Sequence, residues 1–160
     1  MKFNIVKSKR VKNIEERYIL SEQSFDSYNS TNTDITISVA YLILGVSSSD
    51  MYVKCLWGFS PRESWQVKKL DVPVSGYGEL QILGNYDGGT SIRIDNINDM
   101  WESYFDEYIG WFCIGDPINK EGDRAVRIAQ NMIVAINNAG NLKSIFIKPT
   151  FVDKHWNSKI

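Results

Sequence analysis

A single histidine and two cysteines narrow the chemistry open to this 160-residue chain. Zinc sites draw on several Cys and His together, and Cys55, Cys113 and His155 do not make a four-ligand set. His155 lies close to the C-terminal end, where chains are often loosely ordered, so a Cys113–His155 nucleophilic pair has little to hold it. The two cysteines are isolated in apolar stretches and read as buried thiols rather than a disulfide. Phosphate-binding glycine motifs are missing, because SGYGE (75–79) and DGG (87–89) are turn chemistry. The EF-hand pattern is missing too, and no pair of carboxylates is singled out for glycoside hydrolysis. Val39–Val46, the longest apolar run, is too short to span a bilayer, and MKFNIVKSKRVKN has no secretory apolar core. These absences predict a cytoplasmic protein that is not an enzyme and carries no metal or cofactor.

What is present is ordinary in bulk and uneven in detail. Hydrophobic residues make up 43% of the chain and charged residues 23%, as expected of one globular domain spanning 1–160. Five Trp and eight Tyr favour half-buried sites and interfaces, since each joins a large apolar body to a polar handle. The net charge of −1 hides a basic first 20 residues (Lys2, Lys7, Lys9, Arg10, Lys12 and Arg17) and an acidic segment 95–123. The basic segment reads as a solvated end rather than a phosphate site.

Along the chain we see no internal repeat. KFNIVK (2–7) alternates as a first strand. Ile14, Tyr18 and Phe25 fit helical spacing over 13–28, with Asn13 and Glu16 as a capping box. ITISVAYLILG (35–45) reads as one buried strand and MYVKCLWGF (51–59) as its antiparallel partner, with Met51, Val53, Cys55 and Trp57 on one face. LDVPV (70–74) and ELQILG (79–84) are extended pieces. NYDGG (85–89) then turns the chain into a return strand, TSIRI (90–94). WFCIG (111–115) suits a central strand. A short helix is predicted over 122–131, then a hairpin from MIVAI (132–136) and LKSIFIK (142–148). The predicted class is α+β: a single domain with a central, mostly antiparallel β-sheet and two to three helices.

Two segments draw a functional reading. On a helix over 95–108, Asp95, Asp99, Glu102 and Asp106 would form one stripe, extended by Glu107. Ile97, Trp101, Tyr104, Phe105 and Tyr108 would line the other side. With no Lys or Arg in that stretch, the face would meet a basic partner. In WGFSPRESW (57–65), Trp57, Phe59 and Trp65 could form a recess in which Arg62 clamps a carboxylate or phosphate. The alternative there is a strand end whose aromatics close the edge of the core.

GWFCIGD (110–116) followed by GDRAVRIAQNMIVAINNAGNLKSIFIKP (122–149) resembles a pattern of bacterial immunity proteins encoded beside polymorphic or contact-dependent toxins. The pattern is a strand ending in C-I-G-D, a short A-x-x-x-A helix and a hairpin ending in K-P. The resemblance covers roughly the last 50 residues. It implies a cytoplasmic inhibitor, monomeric or homodimeric when free, that binds a cognate toxin domain and blocks its active site. A nuclease toxin would suit an acidic inhibitor, because nucleases hold phosphates on basic surfaces. On that expectation Asp95, Asp99, Glu102, Asp106 and Glu107 face the toxin, with Trp101 and Tyr108 at the rim. The competing classes are a small-molecule-binding or enzymatic domain using Trp57, Phe59, Arg62 and Trp65, and a structural adaptor subunit.

Overall fold

The computed structural model describes residues 1–10, 12–94 and 101–153, and it is built from strands. In chain order these are β1 (Phe3–Lys7), β2 (Glu15–Ile19), β3 (Ser24–Tyr28), β4 (Ile35–Val39), β5 (Leu42–Val46), β6 (Val53–Phe59), β7 (Gln66–Val67) and β8 (Gly78–Ile82). There follow β9 (Ser91–Arg93), β10 (Ser103–Asp106), β11 (Trp111–Gly115), β12 (Arg124–Ala129), β13 (Met132–Ile136), β14 (Leu142–Ile147) and β15 (Thr150–Val152). Among the described residues the only helical element is a 3₁₀ turn, Arg62–Ser64. The α+β expectation is therefore overturned, and each predicted helix fails for a local reason.

Residues 13–28 form the β2–β3 hairpin, where Tyr18 and Phe25 pair across the strands and both point inward. Buried Glu16 and Ser27 hide the alternation, because a carboxylate and a hydroxyl occupy core positions. Residues 122–131 hold β12, and a register shift between Arg127 and Ala129 makes apolar spacing there look helical. The described part of the acidic segment is strand β10 and a turn; Asp95 and Asp99 lie outside the described residues.

Other corrections concern pairing. ITISVAYLILG is two strands, β4 and β5, joined at Ala40–Tyr41, where Ala40 takes a φ of 55°. TSIRI does not return along ELQILG. Instead β9 runs parallel to β4, and β8 pairs with β1. LDVPV forms no strand. The β5–β6 pairing, the β13–β14 hairpin and the central place of β11 agree with the sequence reading.

The chain repeats one topology, contrary to the sequence reading. β2 to β6 lie in the order β2-β3-β6-β5-β4, and β10 to β14 lie in the order β10-β11-β14-β13-β12. Both units carry a register shift at the same place, Gly45/Val46 in one and Ala135/Ile136 in the other. Each unit then gives its next strand to the other. β7, which follows the first unit, runs parallel to β10; β15, which follows the second, runs parallel to β2. The registers make Phe25 the counterpart of Phe112 and Tyr18 that of Phe105.

The inner faces of the two sheets share one core, in which Ile35, Ile37, Leu44, Val134, Ile145 and Ile147 are fully buried. Counterparts Phe25 and Phe112 touch, with ring centroids 4.8 Å apart. Trp65 closes this cluster against Tyr18, Phe25, Phe105 and Phe112. Burying rings of this size is worth about 1.5–3 kcal/mol each, so the junction between units is a principal source of stability.

The units differ where β3 leaves β6. Ile114 pairs with Ile145 in the second unit, but in the first the backbone pairing stops at Phe25. The Ser27 hydroxyl fills in: it accepts from the Leu56 amide at 2.9 Å and faces the Leu56 carbonyl at 3.1 Å. Glu16, fully buried, also contacts that hydroxyl, and its Oε2 has no partner. Burial pushes the Glu16 carboxyl well above the usual range, despite the opposing hydrogen bond from Ser27.

Candidate partner-binding surface

Over the described residues 101–108 the predicted acidic helix face does not form. On a strand, side chains alternate, so Glu102, Tyr104 and Asp106 share one side of β10 while Phe105 packs against the core. Asp106 is buried and serves the backbone. Its Oδ2 accepts from Leu70 N at 2.8 Å, and its Oδ1 accepts from Tyr108 N at 2.9 Å and Ile109 N at 3.3 Å. These amides, the Leu70 amide first, hold its pKa below the ordinary carboxylate value. Asp106 thus sets the turn and anchors the chain after β7, and its carboxylate is not presented outward.

Glu102 is exposed and accepts from the Tyr104 hydroxyl at 2.7 Å, which pushes the Tyr104 pKa up to about 12. Lys68 lies 5.6 Å from the Tyr104 ring centroid, so basic residues of another segment interleave with the acids. Glu107 and Tyr108 stand out at the turn, Tyr108 fully exposed. Trp101 is half-buried and donates from Nε1 to the Ile94 carbonyl at 3.3 Å.

The 57–65 recess does not form either. Trp65 points into the core cluster, with Nε1 donating to Ser60 Oγ at 2.9 Å. Trp57 lies on the opposite, outer face of its sheet. Arg62 sits 5.6 Å from the Phe151 ring centroid. For Trp65, the reading of aromatics closing the core edge holds. Trp57 is placed by two local features. A register shift beside Val53 turns Val53 inward and leaves Cys55 and Trp57 facing out. Gly45 then gives the indole room, since a Cβ there would stand 2.8 Å from Trp57 Cζ3.

Comparing the two units isolates this outer face. In the second unit, Cys113, Ile133 and Phe146 are fully buried beneath Leu70 and Val72 of the chain running from β7 to β8. The registers give their first-unit counterparts as Asp26, Ile43 and Trp57, and all three are only partly covered. Phe59 and Tyr41, 49% and 76% exposed, continue the apolar surface toward the β4–β5 turn. Arg93 borders it, its guanidinium donating to the Ala40 carbonyl at 3.2 Å. Sequence reasoning placed Trp57 and Phe59 among candidates but missed Ile43 and Tyr41, because 35–45 read as one buried strand.

Both cysteines are free and buried, and burial raises both thiols above their ordinary value. No three His, Cys, Asp or Glu gather as a metal site among the described residues. No helix among them is long and apolar enough to cross a membrane. No protein-family model matches the chain, and no curated protein matches it in sequence.

Proposed function

We propose that this chain is a protein-binding module whose contact surface is the outer face around Trp57, and that its partner is a toxin domain it neutralises. The observation that carries the binding reading is the unequal treatment of two equivalent faces: one sheet is sealed by Leu70 and Val72, while the other leaves Ile43 and Trp57 part-exposed beside Phe59 and Tyr41. Aromatic side chains at the centre of a surface are the residues that anchor protein interfaces. The toxin assignment rests on the resemblance of the C-terminal pattern. Its strand and hairpin are present, and its A-x-x-x-A segment is strand β12 rather than a helix. Glu102 and Glu107, on the side of the other sheet, are proposed to act at a distance, their negative charge speeding encounter with a basic toxin surface rather than supplying the main affinity.

The test is co-expression with the domain encoded next to this chain, scored by growth and by recovery of a 1:1 complex. Trp57→Asp should abolish rescue while the purified variant keeps its cooperative melt, and Glu102→Lys with Glu107→Lys should slow association and weaken its salt dependence. Full rescue by Trp57→Asp would refute the surface assignment. A toxic domain that the native chain fails to neutralise would refute the toxin assignment for that pair.

A further inference from the structure

The same comparison of units singles out a strand edge. β4 and β12 are counterparts, each the outermost strand of its five. Along β4 the chain adds β9 in parallel over Thr36–Ser38, with Thr36 N donating to Thr90 O at 3.0 Å and Ile94 N to Ser38 O at 2.9 Å. Along β12 the matching addition shrinks to one rung, Tyr77 opposite Arg127, with Arg127 N donating to Gly76 O at 2.9 Å. Alternate residues of a strand direct their backbone groups to the same side, so Ala125, the counterpart of Thr36, aims its amide and carbonyl along that edge. Among the described residues no hydrogen bond ends on that amide.

A groove of about 510 Å³ lies against this edge, lined by Ile5, Lys7, Lys9, Tyr77, Ala125 and Val126 among others. Its far wall is β1. Ser8 N donates toward β8, to Tyr77 O, and Phe3 N donates the other way, to Gly140 O. Ile5 and Lys7 follow Phe3, so their backbone groups face away from β8. Among the described residues the groove thus has unpaired main chain on two sides, with Ile5 and Val126 as its apolar lining. Lys7, Lys9 and Arg124 are exposed around it and form no ion pair among the described residues. A positive rim over an open strand edge favours an extended, negatively charged chain.

We propose that this groove binds an extended acidic segment of a partner protein, hydrogen-bonded to β12 at Ala125 in the place that β9 takes on β4. The site is separate from the Trp57 face, so Trp57→Asp should leave it intact. The probe is a fluorescein-labelled (Glu-Val)₄ peptide followed by anisotropy, with (Lys-Val)₄ and a single-stranded oligonucleotide as comparisons. Saturable binding of (Glu-Val)₄ is expected, weakening several-fold as salt rises from about 0.05 to 0.3 M. Lys7→Glu with Lys9→Glu should lower affinity about tenfold or more. Ala125→Pro, which removes the edge amide, should abolish binding. Should Ala125→Pro not fold, exchange of the Ala125 amide in the native protein decides instead, and saturation with the peptide should slow it at least about tenfold. Absence of saturable binding, equal affinity for (Lys-Val)₄, preference for the oligonucleotide, or unchanged Ala125 exchange would overturn the proposal.

Discussion

Replacing Glu16 by Gln should make this protein's stability less sensitive to pH. Glu16 has no exposed surface, touches the Ser27 hydroxyl and leaves Oε2 without a partner. Burial dominates its titration and raises its native pKa well above the ordinary carboxyl range, with nearby Asp26 adding repulsion. Between the unfolded value and the native value, the folded chain therefore holds a proton that the unfolded chain has released. Unfolding then becomes easier as pH rises, by about 1.4 kcal/mol for each pH unit in that window, and the loss levels off above the native pKa. Gln has nearly the same shape and no charge to desolvate. The stability difference between Glu16→Gln and the native protein should be small near pH 4.5 and should grow in favour of Gln toward pH 8. Urea unfolding followed by tryptophan fluorescence at intervals across that range measures it directly. A difference that stays constant with pH would show that Glu16 is ionised in the native state and would refute the reasoning.

Gly58→Ala should cost about 2–5 kcal/mol, because Gly58 has a φ of 134° and a Cβ would stand 2.3 Å from the Tyr41 carbonyl oxygen. Thermal melting should fall by roughly 5 °C or more, and an unchanged melt would contradict the close approach. Phe25 and Phe112 should show a coupling of about 0.5–1.5 kcal/mol in a double-mutant cycle with Leu, measured by denaturant unfolding; strict additivity would mean that the two units do not meet through these rings.

The sequence was most legible where a short, nearly continuous apolar run lay between turn residues. MIVAI and LKSIFIK, separated by NNAGN, form the hairpin expected of them, and WFCIG is a central strand. It was least legible where polar residues hold inward positions. Glu16 and Ser27 interrupt the inward series of the β2–β3 hairpin, and Asp106 faces backbone amides rather than solvent. Irregular rungs did the rest. The shift near Val53 reverses which face Trp57 takes, so a correct strand carried an incorrect face. The repeat was concealed because counterparts diverged with their surroundings: Cys113 under a covering chain matches Asp26 in the open, and Ile114 in a regular ladder matches Ser27 beside a broken one. Only hydrogen-bond register relates such pairs.

The reciprocal gift of β7 and β15 sets an order of events during synthesis. β2 has β3 on one side and needs β15 on the other, so its second neighbour is among the last described residues to leave the ribosome. At about 5–20 residues per second, that border waits on the order of ten seconds. The second unit faces no such delay, since β7 is already made when β10 emerges. A nascent chain of this protein should therefore hold β2 open on one side until nearly all of the second sheet has emerged, with Tyr18 and Phe25 open to chaperones in the interval.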